Sequence, residues 1–550
     1  MIADRQVFLG SFWLGSTLIL QIIGGALRES GFVSSKNVLT TWVRHISCNL
    51  CASTITIWAV GHGFSGNGGR RADEAGSQEL LHQFIGLSDW LAFSGITDSS
   101  AAIRTASSNA TKYMKKRDRV ITLRSTGYSQ PQKFNSAVKR NDFKNDVSLE
   151  RLLWNIAASN VFSSIYFGGV CERINLLSSI ILAIFNSSII YAIPLHWCWS
   201  EIGWLRGSNG MSDNAGVTVL YYSAGVCALV VSAVVGPRFG RYDMPEMFEM
   251  RSPTTAMFGI YVIACSWVAM NAMSPVTHSY GSISNISTEI LTENVMETIN
   301  AGYGGCAAVL VYLLMRRQFS IQKSAVGLIA GLVSISGLVG HCSASESILI
   351  GAIGGILTLI SRSILEKMRI DDSSDTICSY LVPGAWGTLA VGLHARPTKL
   401  CPDGVTEPKQ CQASHAGLLL TGSKDLLIAS LLAFLAITGW ATAGSVISVF
   451  ILDKTIGVRL SGASEIIGCD LLRHGIIRRS EDVDDPTING TSDRKTTDIS
   501  RTSSDETSIM ELRRGITKIL RAIKDEDDPL LRKDDDGIRK DLIAKILNRK

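Results

Sequence analysis

Repeated stretches of about 20 nearly uncharged residues, the length a helix needs to cross a bilayer, most limit what this chain can fold into. They recur from Gln6 to Leu452, and counted together they predict an all-α, polytopic membrane bundle of about eleven spans. The first is Gln6–Ala26, and no short apolar core with an A-x-A cleavage site follows it, so it is expected to be a retained helix rather than a signal peptide. The rest of the composition agrees. Only 18% of residues are charged against 46% hydrophobic, which is too apolar for an ordinary soluble chain of 550 residues. The net charge of +5 says little about nucleic acid, because Lys and Arg cluster in the connecting segments. No nucleophile–base–acid set and no metal spacing stands out, so neither an enzyme nor a cofactor or metal site is expected. Most of the twelve Cys are single residues inside apolar runs. Cys48 and Cys51 form one C-x-x-C within such a run, with no second pair to complete a metal site.

Ile370–His394 holds the densest chemistry. Asp371 and Asp372 stand at the mouth of an apolar segment, with Asp375 a step further in. Tyr380, Pro383, Gly384, Trp386 and Gly387 follow, and no charge appears again until Arg396. Small residues let helices approach closely in a bilayer, and a polar or aromatic side chain facing inward from such a helix usually marks a pathway. The stretch resembles the tenth membrane helix of the ammonium transporter family (Amt/Mep/Rh), whose pattern reads roughly IDDPxDxxxVHGxGGxWGTLxxGLFA. The family's pore histidine is Tyr380 here.

Other motifs carry the same resemblance in order. Glu29, Ser30, Gly31, Ser35, Lys36 and Asn37 match the turn ExGxVxSKN. Cys171-Glu172-Arg173 resembles the short turn ending in E-R. Asp213 resembles the Asp of DFAGGxxVH, and counting on from it puts the family's other pore histidine at Tyr221. Trp267, Asn271 and Ser274 keep their places in LGxxxLWxGWxxFNxGS, while Met270 replaces a phenylalanine. Lys454, Gly457, Arg459, Glu465, Gly468, Asp470, His474 and Gly475 match a cytoplasmic signature that in the family touches neighbouring subunits of a trimer.

The resemblance implies an inverted-repeat transmembrane domain over 1–452, interrupted by a basic insertion at about 100–148, and a partly disordered cytoplasmic tail over 453–550. It implies a plasma-membrane homotrimer surrounded by lipid, with an extracellular N-terminus and a cytoplasmic C-terminus. The basic loops around Arg238, Arg316 and Arg362 agree with that orientation under the positive-inside rule. The insertion Arg104–Lys144 reads as a solvated loop, with contact to anionic lipid or an acidic partner as the functional alternative. Asn109 and Asn285 sit in sequons, and Cys401 and Cys411 could pair in an external loop. Helical periodicity returns at Ile509–Ile523 and Ile538–Ile546 of the tail, as expected for segments that bind cytosolic partners, membrane or each other.

Trp199 matches the family tryptophan of the external vestibule, where an indole face attracts ammonium by about 0.5–2 kcal/mol. Ser274 would add a hydroxyl acceptor, or simply bond its own turn, and Asp213 would cap its helix before serving the pore. Tyr221 and Tyr380 would form the pore centre. The two gate phenylalanines correspond to Ala158 and Met270, with Trp154 one turn from Ala158 and able to fill part of the gap. Trp386, Gly387 and Asp375 are expected to pack the pore helix. Two functions follow: a conducting transporter of ammonium or ammonia, or a non-conducting ammonium sensor or regulatory trimer subunit signalling through its tail.

Overall fold

The computed structural model describes residues 2–57, 149–200, 203–243, 245–248, 250–274, 288–396 and 416–474. The basic insertion, both sequons, Cys401, Cys411 and the periodic tail segments lie outside these residues. Met1–Leu460 forms one compact unit and Ser461–Lys550 a second. Among the described residues the first unit is built of helices and their connecting turns, with one isolated antiparallel bridge between Ile174 and Arg459.

Among the described residues, eight helices are long and apolar enough to cross a membrane. In the chain order used below, they are α1 (Ile2–Phe32), α4, α5, α6 (Pro253–Met273), α7 (Thr288–Met315), α9 (Ala344–Lys367), α10 (Thr376–His394) and α11 (Asp425–Thr455). Helix α4 joins Leu176–Phe185 through π turns at Asn186–Tyr191 to Ala192–Trp199. Helix α5 opens with π turns at Val217–Tyr222 and continues as Ser223–Val235. Three shorter or more polar helices pack among them: α2 (Val38–Ile46, extended by wider turns to Thr56), α3 (Leu149–Gly168) and α8 (Ile321–Ile335). Among the described residues, then, eight helices reach spanning length and apolarity, against the about eleven spans expected from the apolar runs.

Several helices outrun their apolar runs. Helix α7 begins at Thr288, well before the charge-free run that opens at Asn300, and Asn294, Glu297 and Thr298 turn inward and are buried. A polar segment whose groups find partners inside the bundle stays helical, and hydropathy alone does not register it. At the far end α11 runs to Thr455, and the Arg459 guanidinium reaches the carbonyls of Val235 and Pro237. These contacts hold the chain to the bundle as far as Leu460.

Small residues set the closest helix contacts. Helix α1 lies along α6, where a Cβ added at Gly259 would stand 2.3 Å from the Arg28 backbone nitrogen. On the other side of the bundle a Cβ at Gly351 of α9 would meet the Ala301 carbonyl of α7 at 2.0 Å. Neither approach is open to a larger residue.

Helix ends gather in two layers. One layer contains the ends of α4, α6 and α8 and the starts of α5, α7 and α9; it is called here the tryptophan end. The opposite layer, where α1, α3 and α5 finish and α10 begins, is held by buried ion pairs. In the second unit the described residues form two short helices, α12 (Gly462–Ile467) and α13 (Cys469–His474), with the Ser461 hydroxyl capping the first.

Candidate functional site

Aromatic side chains from five helices line up between the two layers. At the tryptophan end, Trp199 closes α4 and donates from Nε1 to the Asp213 carbonyl at 2.6 Å. The Asp213 carboxylate accepts four backbone N–H bonds at the start of α5: Gly216 and Val217 on Oδ1 (3.0 and 2.7 Å), Thr218 and Val219 on Oδ2 (2.9 and 3.1 Å). A helix start has orphan donors, and a carboxylate there satisfies them while complementing the dipole. Asp213 is therefore a cap that also seats Trp199. Gly216 has a φ of +87°, and a Cβ there would press on the Trp199 ring at 3.2 Å, so the turn favours glycine twice over.

Trp154 of α3 meets Trp199 edge to face, with ring centroids 5.0 Å apart, and donates to the Met270 carbonyl at 3.1 Å. Ala158 is buried one turn further along α3. The Gln21 amide of α1 contacts the Met270 sulfur. Trp154 and Met270 thus stand beside Trp199. Ser274 is turned to its own helix, its hydroxyl donating to the Asn271 carbonyl at 2.9 Å. That is the self-bonding geometry of a serine in a helix.

In the middle, Tyr221 of α5, Trp267 of α6 and Tyr380 of α10 form a three-ring group. Tyr221 stacks on Trp267 at 4.4 Å and 18°, Trp267 on Tyr380 at 6.1 Å and 15°, and the tyrosine centroids are 6.4 Å apart. Trp267 Nε1 donates to the Ser336 hydroxyl at 3.0 Å, anchoring the group to α8. A hydrogen bond between the Thr218 and Thr388 hydroxyls (2.9 Å) ties α5 to α10 beside it. The two positions that resemble the histidine pair, 159 residues apart in sequence, therefore face one another.

Beyond Tyr380 lies Arg28, which the sequence reading passed over. Its guanidinium carbon stands 5.8 Å from the Tyr380 ring centre and 5.4 Å from that of Phe32. It donates to the Ser374 carbonyl at 2.7 Å and the Thr376 hydroxyl at 3.2 Å. The available signal was spacing: Gly24, Arg28 and Phe32 recur every four residues, so once α1 extends to Phe32 they share a face.

The three carboxylates at the mouth of α10 do three different things. Asp372 caps the helix, accepting the N–H groups of Thr376, Ile377 and Cys378. Asp375 adopts a left-handed φ of +52° and pairs with Arg362 at 2.8 Å. Asp371 joins a buried cluster linking three inter-helix turns. Arg238 grips it with Nε and Nη2 at 2.7 and 2.9 Å, also contacts Glu172, and Arg173 adds a contact at 3.4 Å. Glu172 receives Asn37 Nδ2 at 3.0 Å and the Ser34 backbone N–H at 2.9 Å. Burial alone would raise both acids, but Arg238 outweighs it and holds Glu172 and Asp371 below the usual carboxylate range. Further along α10, Trp386 Nε1 donates to the Ile350 carbonyl at 3.0 Å, and a Cβ on Gly387 would lie 2.6 Å from the Ser334 carbonyl.

A family model described as Ammonium Transporter Family matches residues 121–478, more than half of the chain. The chain belongs to the ammonium transporter family. Among curated relatives, this family member is 25% identical over 330 residues to putative ammonium transporter 3 of Caenorhabditis elegans, covering 60% of this chain and 46% of that protein. It is 28% identical over 340 residues to ammonium transporter 1 member 1 of Arabidopsis thaliana (58% and 66%). The chain thus spans about half to two thirds of these relatives' length. Among solved structures, a Sensor Amt Protein matches with a TM-score of 0.64 and 21% identity, over 86% of this chain and 99% of that one. Mep2 of Saccharomyces cerevisiae matches at 0.61 and 18%, over 82% and 87%. At these identities the structural matches speak to the fold alone, and they agree with an all-α membrane bundle.

Proposed function

We propose that this protein moves ammonium or ammonia across the plasma membrane through a line in each subunit running from Trp199 past Tyr221 and Tyr380. Family membership over residues 121–478 is the observation that carries the reading. The aromatic alignment gives it a route. Stripping water from a cation costs tens of kcal/mol when nothing compensates, so recruitment and passage are separate tasks. Trp199, seated by Asp213 and edged by Trp154, offers the π face for recruitment. Ser274 and Asp213 shape that vestibule through their backbone and helix-start bonds. Met270 and Ala158, with Trp154, stand where the gate would be.

At the centre the tyrosines do different work from the imidazoles that the family resemblance leads one to expect. Imidazole titrates near pH 6.5 and can exchange donor and acceptor roles between its nitrogens. A phenol titrates near pH 10. Tyr221 and Tyr380 therefore act as hydrogen-bond partners and ring surfaces, not as proton carriers at neutral pH. The arrangement we favour is a homotrimer in lipid with an extracellular N-terminus and a cytoplasmic C-terminus. The Ser461–Lys550 unit is then available to cytosolic partners.

Uptake of methylammonium into cells lacking their own ammonium transporters tests the proposal. Uptake above vector controls that falls several-fold in Tyr380→Phe is the expected result. Normal surface expression with no uptake by the unaltered protein would refute it and leave the sensor role in its place.

A further inference from the structure

We propose that Arg28 is the charge-selectivity determinant of this line: a tethered cation on Tyr380, in the seat that a passing ammonium ion would otherwise take. The inference rests on the transport reading and deepens it by naming the species that passes Tyr380, neutral ammonia.

Arg28 is placed to do this and little else. It is 4% exposed, between the rings of Tyr380 and Phe32 and beyond the three-ring group when approached from the tryptophan end. Among the described residues no carboxylate lies within ion-pair distance of it. Glu29 is taken by Arg44 and His45, Asp375 by Arg362, and Asp372 by three backbone N–H groups. Its hydrogen-bond partners, the Ser374 carbonyl and the Thr376 hydroxyl, are neutral, and Glu29 and Asp372 act on its charge only from beyond ion-pair distance. Nor can its backbone easily withdraw, since Gly259 of α6 packs so close to the Arg28 nitrogen that a Cβ there would lie 2.3 Å away.

Hydrogen-bond chemistry points the same way. A guanidinium has only donors, and ammonium also has only donors, so the two offer each other nothing but repulsion. Ammonia has a lone pair. The Arg28 Nε–H is buried without a partner and is a donor that such a lone pair can accept. Two unit charges about 6 Å apart at an effective dielectric near 20 repel strongly enough to lower cation occupancy about a hundredfold. On this scheme an N–H bond of ammonium breaks heterolytically on the tryptophan side. The electron pair stays on nitrogen, the proton goes to water there, and ammonia takes up a proton again on the far side.

The test uses the full chain in lipid vesicles, with ammonium current and internal alkalinisation recorded together against protein-free vesicles. The unaltered protein should alkalinise the lumen faster than lipid alone while carrying no saturating ammonium current. Arg28→Gln keeps hydrogen-bonding capacity but loses the charge, and should gain at least a tenfold ammonium current. Arg28→Lys keeps the charge and should remain without current. A saturating ammonium current in the unaltered protein, equal currents in Arg28→Gln and the unaltered protein, or a current in Arg28→Lys matching that of Arg28→Gln would each overturn the inference and leave transport standing. No protein-dependent alkalinisation and no current in any of the three would overturn the transport reading and this inference together. The measurement on the unaltered protein decides the matter even if Arg28→Gln fails to fold.

Discussion

Replacing Arg238 by methionine should be among the most damaging single changes outside the aromatic line. Arg238 grips Asp371 with two nitrogens and also meets Glu172, and all three side chains are at least 93% removed from solvent. Removing the cation leaves Glu172 with the neutral donors of Ser34 and Asn37, and leaves Asp371 with the backbone N–H of residue 238 at 3.0 Å and the longer contacts of Arg173 and Arg241 at 3.4 and 3.5 Å. Breaking a buried pair from one side costs about 3–5 kcal/mol, because the remaining charge is stranded in a low-dielectric site. A shift of about 4 kcal/mol changes the folded-to-unfolded ratio roughly a thousandfold. Reversible unfolding in mixed micelles, followed by tryptophan fluorescence, would measure it. Adding Glu172→Gln and Asp371→Asn to Arg238→Met should restore much of the loss, since no unpaired charge is then left. The reasoning is refuted if Arg238→Met costs less than about 1 kcal/mol, or if the triple variant is worse than the single one by the sum of the parts.

The same cluster predicts a pH dependence. Glu172 and Asp371 titrate below their usual range in the folded protein, so their contribution is complete above about pH 4–5, where both are ionised even unfolded. It is lost as pH falls through their depressed native values; acid titration of stability should show this slope, and Glu172→Gln with Asp371→Asn should flatten it. Asp213→Ala strands four N–H groups, each worth about 1–3 kcal/mol when buried. A loss of at least about 4 kcal/mol is expected, with Asp213→Asn less severe, and equal losses in the two would argue against capping. Gly259→Val should wedge α1 from α6 and cost at least about 1–3 kcal/mol. Gly439→Ala, where nothing lies within 4 Å of the new Cβ, should be neutral or slightly stabilising in the same unfolding assay.

The bundle was legible in the chain because its cause is local: a run of apolar residues is a property of neighbours in sequence. The helical membrane bundle and the family follow from such runs and from short motifs whose spacing stays intact. Tyr221 and Tyr380 could be picked out by motif, but their stacking with Trp267 could not, because three separate helices supply the rings. Polar residues were read less well. The polar start of α7 does not show in hydropathy, since Glu297 finds the Gly340 N–H only when the α8–α9 connection folds over it. The three aspartates before α10 look alike in sequence. They become a cap, a pair with Arg362 of α9 and the centre of an ion cluster according to what α9 and the turns after α3 and α5 place beside them. Arg28 makes the point most sharply. Its sequence neighbourhood is an ordinary helix end, and only the approach of α10 sets its charge against an aromatic ring. Hydrophobic pattern decides where the chain crosses the membrane, because desolvation acts on each segment by itself. The job of a buried charge depends on partners hundreds of residues away, and only tertiary structure supplies them.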